Sequence, residues 1–290
     1  MESMLDHKKV LITGATDGIG RIAALELAKQ KAHVILVGRN QQKTEECVRQ
    51  IRAESDNPKV DYLLADLSIQ ADVHRLATDY RHRFDNLHGL INNAGAIFMR
   101  RQLSQDGLEM TFALNHLAYF TLTNLLLDML IASAPSRIIN VSSNAHFSAR
   151  LNYSIPPENK GYRGWGAYSL SKLMNVLFTY ELARRLEGHP VTVNCVHPGF
   201  VASNFGKNNS GIIKFLISLL QLGAISSEKG AETILYLASS PEVEGVTGRY
   251  FYNKKDIRSS GASYDQQAAS RLWKTSMELA RINNKEIQPM

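Results

Sequence analysis

The chain predicts an α/β fold, a doubly wound parallel sheet of about seven strands with helices on both faces. Short apolar, β-branched runs alternate with amphipathic stretches of helix length along most of the sequence, and a glycine-rich turn joins the first run to the first helix. In order, Lys9-Val10-Leu11-Ile12-Thr13 enters Gly14-Ala15-Thr16-Asp17-Gly18-Ile19-Gly20, after which Ile22, Ala23, Leu25, Leu27 and Ala28 recur at helical spacing. This is strand, turn, helix. Further strands are expected at His33 to Val37, Val60 to Leu64, Gly89 to Asn92, Arg137 to Val141, Val191 to Val196 and Gly248 to Phe251, with right-handed crossovers between them. Phe147 to Trp165, which holds Pro156-Pro157, Gly161 and Gly164, is expected as a loop over the cleft. The tail from Ala262 to Ile282 carries Leu272, Trp273, Met277 and Leu279 at helical spacing and is expected to pack into the core.

A 44% hydrophobic content and only 8 prolines in 290 residues leave no composition break for a linker, so one domain over residues 1–290 is expected. Its two cysteines, Cys47 and Cys195, are expected as reduced thiols, Cys195 buried. The net charge of +6 is spread along the chain, and short runs such as Arg81-His82-Arg83 and Arg100-Arg101 suit a solvated face. Nucleic acid is therefore not an expected partner. The first six residues lack the apolar core of a secretory signal, which points to the cytoplasm. The apolar run Ile212 to Leu222 carries Lys214 and Gln221 and falls short of the ~20 residues that span a bilayer. Preceded by Gly206, Asn208, Asn209, Ser210 and Gly211, residues 206–222 are expected to form a hinged lid whose Phe215, Leu216 and Leu219 face an apolar cleft, with a packed helix and interfacial membrane contact as alternatives.

Two motifs carry chemistry. Tyr168 and Lys172 stand four residues apart, which on a helix places a phenol and an ammonium on one face. A phenol ordinarily titrates near ~10, and a neighbouring positive charge brings proton exchange within reach of neutral pH, so the pair suits work on a hydroxyl or carbonyl. The glycine turn lets the backbone approach a ligand, and the helix N-terminus behind it favours a pyrophosphate. A dinucleotide is the natural occupant. No cluster has metal-ligand spacing.

With these motifs the chain resembles the short-chain dehydrogenase/reductase family from about Lys8 to Tyr252. The resemblance rests on TGxxxGxG at Thr13 to Gly20, Asp66-Leu67, Asn92-Asn93-Ala94-Gly95, Asn115, Ser142-Ser143, Tyr168 with Lys172, and Pro198-Gly199. Arg137 to His146, Gly248-Arg249-Tyr250-Phe251 and Arg271-Leu272-Trp273 look like the retinol dehydrogenase and WW-domain-oxidoreductase branch. The resemblance implies a Rossmann-type sheet of order 3-2-1-4-5-6-7, a cofactor-binding part over about 8–145 and a catalytic and substrate part over about 146–290. It implies a hydride transfer between nicotinamide and an apolar carbonyl or alcohol, in which Tyr168 carries the proton, Lys172 lowers the phenol's pKa and binds ribose, Ser143 rather than Ser142 holds the substrate oxygen, and Asn115 supports a water-mediated proton path.

Gly14, Thr16, Gly18, Ile19 and Gly20 would cradle the cofactor, Asp66 and Leu67 border the adenine, and Asn92, Asn93, Ala94 and Gly95 line the channel. Pro198, Gly199, Val201 and Ser203 would pack on the carboxamide. At the position where NAD-preferring relatives place an acid stands Gly38, followed by Arg39, whose guanidinium suits a 2′-phosphate; NADP(H) is therefore expected over NAD(H). Asp17 departs from the pattern, since many NADP-preferring relatives place a basic residue there. His146 and His197 are expected to be structural. Relatives often pair through the helices flanking the fifth strand, so a homo-oligomer is an open expectation, and a cofactor-sensing binding protein is the alternative to an enzyme.

Overall fold

Successive residues of β1 (Lys9–Thr13) go to opposite sides of the sheet, Leu11 into one core and Val10 and Ile12 into the other. Strand β2 (His33–Gly38) repeats the division, with Ile35 and Val37 on the first side and Val34 and Leu36 on the second. A strand covered on both faces has no polar side to present, which is why these runs read as continuous apolar sequence. A computed structural model describes residues 5–151, 161–199 and 226–282 of the chain. The expected lid at 206–222 lies outside the described residues.

Strands β3 (Val60–Leu64), β4 (Gly89–Asn92), β5 (Ser136–Val141), β6 (Val191–Val196) and β7 (Arg249–Tyr252) complete a parallel sheet, and β8 (Lys255–Asp256) adds antiparallel to β7. The order is β3-β2-β1-β4-β5-β6-β7-β8. The eighth strand lies beyond the expected seven. Its two residues are exposed and charged, leaving no apolar signal, while Asn253 and Lys254 both take positive φ in the turn that folds it back.

On one face lie α1 (Gly18–Lys29), α2 (Gln41–Ser55) and α8 (Ser227–Ser239). On the other lie α3 (Gln70–Arg83), α4 (Met110–Phe112), α5 (Ala118–Leu125), α6 (Leu127–Ala132), α7 (Gly164–Arg185) and α9 (Gln266–Ala280). A π-helical turn, Ala113–Leu117, joins α4 to α5. Of the expected loop from Phe147 to Trp165, the 3₁₀ turn Asn144–Ser148 takes the start and α7, beginning at Gly164, takes the end, while residues 152–160 lie outside the described residues. Among the described residues no helix is long and apolar enough to cross a membrane.

Helix α7 is buried on nearly every side, from Tyr168 through Tyr180, so it has no polar face to read from sequence. The tail helix α9 explains part of this cover. Trp273 packs 5.0 Å from the Phe120 ring and 5.9 Å from that of Phe178, with the Arg185 guanidinium 4.1 Å above its own ring. Large aromatic truncations in cores cost about 3–5 kcal/mol. Trp273→Ala is accordingly expected to lower the unfolding free energy by about that amount, read as a lower denaturant midpoint at unchanged slope.

Candidate active site

The carboxyl ends of β1 and β4 mark the point where strand order reverses, and side chains hold them together there. Thr13 Oγ1 accepts from the N–H groups of Asn93 at 2.9 Å and Ala94 at 3.1 Å, while Asn93 Nδ2 donates to the carbonyls of Thr13 and Gly14. Gly14 takes a φ of 64°, and a Cβ on it would lie 2.8 Å from Ala94 Cα. Only glycine fits this approach. Above it opens a cavity of about 690 Å³. Gly14, Thr16, Gly18, Ile19, Gly20, Arg39, Asp66, Leu67, Asn93, Ala94, Gly95, Tyr168, Lys172 and Pro198 all line it. The N-terminus of α1 faces the same space, so glycine turn, helix end and volume fit a dinucleotide.

Four further residues named for the channel and the carboxamide are placed as follows. Asn92 does not line the channel; its side chain is buried and donates to Thr123 Oγ1 and Asn140 Oδ1, because alternation along β4 turns it into the helix layer. Gly199 follows Pro198 at a φ of 89°, and its N–H donates to His197 Nδ1 at 3.2 Å. Val201 and Ser203 lie outside the described residues.

At the far end of the cavity Arg39 is 78% exposed and loosely paired with Asp66 at 3.4 Å. Lys43, on the first turn of α2, lines the same end. Its Nζ lies 2.7 Å from Asp17 Oδ2, while Asp17 Oδ1 accepts from the Gly18 N–H at 2.8 Å. The acid that departs from the family pattern is thus a helix cap neutralised by a lysine sequence reasoning overlooked. Gly38 also changes meaning: a Cβ there would lie 2.1 Å from Thr44 Oγ1 and 2.8 Å from Thr16 Cγ2. In this arrangement a side chain at position 38 would require Thr44 and Thr16 to shift.

Tyr168 and Lys172 meet on α7 beside the ends of β4 and β5. Lys172, 4% exposed, donates to the Val141 carbonyl at 3.1 Å and stands 5.7 Å from the ring centroids of both Tyr119 and Tyr168. Burial dominates both groups. It pushes the Tyr168 phenol up to about 12, against a hydrogen bond from Ser143 that pulls it down. It lowers the Lys172 ammonium to about 8. The dry surroundings of the pair disfavour the charged form of each partner, and for the phenol this outweighs the hydrogen bond from Ser143.

The two serines face different partners. Ser142 is buried and spends its hydroxyl on the Lys172 carbonyl at 2.8 Å, which anchors β5 to α7. Ser143 turns toward the phenol. Asn115 sits on the π-helical turn, where its side chain accepts from Ala96 N–H at 2.9 Å and donates to the Ala96 carbonyl and Ser171 Oγ. It clamps the loop after β4 onto α7. Its own carbonyl accepts from Asn175 Nδ2 at 2.9 Å, and Asn175 Nδ2 also lies 3.4 Å from the Val141 carbonyl that Lys172 uses.

Two side chains that hold this arrangement were missed. Asn175 stands three residues after Lys172, on the same helix face, and that spacing was available in the sequence. Glu109 is buried and caps α4 through both carboxylate oxygens, on the N–H groups of Thr111 and Phe112. It also accepts from Tyr162 Oη at 3.0 Å, so the start of the Asn115 helix is tied to the approach to α7. An acid just before a helix is a capping signal; its tie to Tyr162, 53 residues on, is not. His146 is fully buried, and His197 stacks on Tyr252 at 4.2 Å, its pKa lowered to about 4 by burial.

Lys172 yields a direct test. Because its value of about 8 lies below the ordinary 10.5, the unfolded chain holds the extra proton between those limits. This site's contribution to stability should thus fall as the pH drops from 10.5 through about 8. A side-chain NMR titration, assigned with Lys172→Met, is expected to find a lysine with a midpoint of about 8.

The family model described as short chain dehydrogenase matches residues 8–211. Human retinol dehydrogenase 13 is 38% identical over 288 residues, covering 97% of this chain and 87% of that protein. Human polyprenol dehydrogenase is 38% identical over 279 residues, covering 94% and 84%. A solved structure from Mycobacterium Paratuberculosis superposes with a TM-score of 0.77 at 31% identity, covering 96% of this chain and 94% of that one. With the glycine turn, the Tyr168–Lys172 pair and the sheet order already in place, these matches establish that the chain belongs to the short-chain dehydrogenase/reductase family of oxidoreductases, in its retinol-dehydrogenase-like branch.

Proposed function

We propose that the protein is an NADP(H)-dependent dehydrogenase or carbonyl reductase that interconverts an apolar alcohol and its carbonyl. The observation that carries this is the meeting of Tyr168 and Lys172, with Ser143 bonded to the phenol, at one end of a cavity whose other end holds Arg39 and Lys43. A bound nicotinamide would supply or accept the hydride. The protein's part is to bind, orient and move a proton. The Tyr168 hydroxyl, protonated at neutral pH, is placed to give its proton to a carbonyl oxygen, and Ser143 to hold that oxygen within reach. Lys172 holds positive charge beside the phenol and, by family likeness, the ribose hydroxyls. Asn115 orders the loop and helix between which the cofactor would lie.

Arg39 supports NADP(H), since an exposed and loosely paired guanidinium suits a 2′-phosphate, while the charge of Asp17 is countered by the Gly18 N–H and Lys43. An apolar substrate is supported by Trp165, 53% exposed with its ring 5.9 Å from that of Tyr168, and by Phe147, 49% exposed beside His146. Two relatives are named for retinol and polyprenol, both apolar alcohols.

An NADPH-oxidation screen over aldehydes and ketones of graded polarity tests the proposal. Tyr168→Phe should lose nearly all turnover while cofactor affinity stays within a few-fold; wild-type rates in that variant would refute the proton role. Arg39→Ala should weaken NADPH and spare NADH. A charged hydrogen bond contributes about 1.5–3 kcal/mol, so the selectivity ratio should fall about ten- to a hundredfold in a titration with both nucleotides.

A further inference from the structure

His146 is buried in the 3₁₀ turn after β5, and its two ring nitrogens face groups that leave no choice of tautomer. The Ser260 backbone N–H points at Nε2 from 3.1 Å, and a backbone N–H can only donate. Nε2 must therefore carry the lone pair. The proton sits on Nδ1, 2.8 Å from the Ser143 carbonyl, which can only accept. Tyr250 Oη, 3.3 Å from Nδ1, can share it as an acceptor. A second proton on the ring would set two donors against each other, and burial also lowers the pKa of His146.

The far end of this pin is itself fixed to the helix that carries Tyr168. The Ser260 carbonyl accepts from Ser263 Oγ at 2.6 Å, and Ser259 Oγ lies 2.7 Å from Tyr180 Oη. Tyr180 stands twelve residues beyond Tyr168 on α7. A closed path of short bonds thus runs from Ser143 through His146 and Ser259–Ser260 to α7 and back to the phenol. Holding a residue's carbonyl fixes the rotation about its Cα–C bond, and with it the direction in which the neighbouring side chain leaves.

Resting on the proposed activity, we infer that His146 is a positioning residue for that reaction: as the neutral Nδ1–H tautomer it locks the Ser143 backbone so that the Ser143 and Tyr168 hydroxyls face one substrate oxygen. A displacement of about 1 Å at such a group can cost on the order of a hundredfold in rate. His146 touches neither the cofactor cavity nor its glycine turn, so its loss should fall on turnover and not on nucleotide binding.

The experiment measures kcat, KM for NADPH and thermal midpoint for wild type, His146→Ala, His146→Phe and His146→Asn, with Tyr168→Phe as the control for the activity itself. His146→Ala and His146→Phe should lower kcat about ten- to a hundredfold with KM for NADPH within about twofold. His146→Asn places an amide N–H where Nδ1–H stood and should recover most of the loss, which filling the ring's volume with Phe should not. Wild-type kcat in His146→Ala alongside an inactive Tyr168→Phe overturns the inference and leaves the activity standing, as does an Asn variant no better than Phe. A wild-type protein without turnover, or a Tyr168→Phe variant as fast as wild type, removes the activity and this role with it. Should the variants fail to fold, ¹⁵N NMR of the wild-type imidazole decides: a proton on Nε2 rather than Nδ1 overturns the inference.

Discussion

A lysine ammonium almost wholly out of water is the constraint around which the site is organised. Its charge must be met by oriented dipoles or lost, and Lys172 is met by the Val141 carbonyl at the end of β5 and by the faces of two tyrosine rings. That carbonyl is free to do this because β5 ends there. The next residue, Ser142, turns its hydroxyl onto the Lys172 backbone, so strand end and helix bind each other twice. Gly95 completes the enclosure from β4: a Cβ on it would lie 3.2 Å from Asn115 Oδ1 and 3.3 Å from Lys172 Nζ. Cofactor channel, proton carrier and cation thus share a few ångströms at the ends of neighbouring strands.

The rest of the fold serves to keep those strand ends level. Parallel register sets Asn92 of β4 against Asn140 of β5, and the two side chains bond in the helix layer, with Thr123 and Thr179 as further partners. Helix α9 lies along α7 and α5, with Trp273 against Phe178 and Phe120. These include the helices through which relatives are expected to pair, and here part of their surface is already covered from within the chain. The same cover dries α7, and dryness sets the pKa values of the groups on it.

Much of this was legible in the sequence because it depends on local spacing. Both-face burial makes apolar strands continuous, the glycine turn is a contiguous motif, and Tyr168 and Lys172 are helix neighbours. The seven-strand order followed from likeness and alternation, and β8 escaped because two exposed charged residues carry no pattern. What could not be read depends on contacts between distant segments. Asp17 looked like a misplaced charge until Lys43, 26 residues away, was seen to pair with it. Gly38 looked like room for a phosphate, whereas Thr44 and Thr16 crowd it. Spacing likewise predicted an activated tyrosine, but a pKa reports the whole surroundings, and burial is invisible to a four-residue motif.

Burial of both partners also bears on the direction the proposed chemistry favours. With the phenol near 12 and the ammonium near 8, the pair at neutral pH is a neutral hydroxyl beside a cation, the protonation state that a carbonyl reduction uses. Alcohol oxidation needs the phenolate, whose formation in so dry a site requires additional positive charge close to the oxygen. Lys172 bonds the Val141 carbonyl through its Nζ, and burial lowers its own pKa. The oxidised nicotinamide ring is cationic and the reduced ring neutral, so each bound form would favour the protonation state of the phenol that its own direction demands. The tyrosine is thus left protonated for donation and becomes a base chiefly where the cofactor's own charge stands beside it.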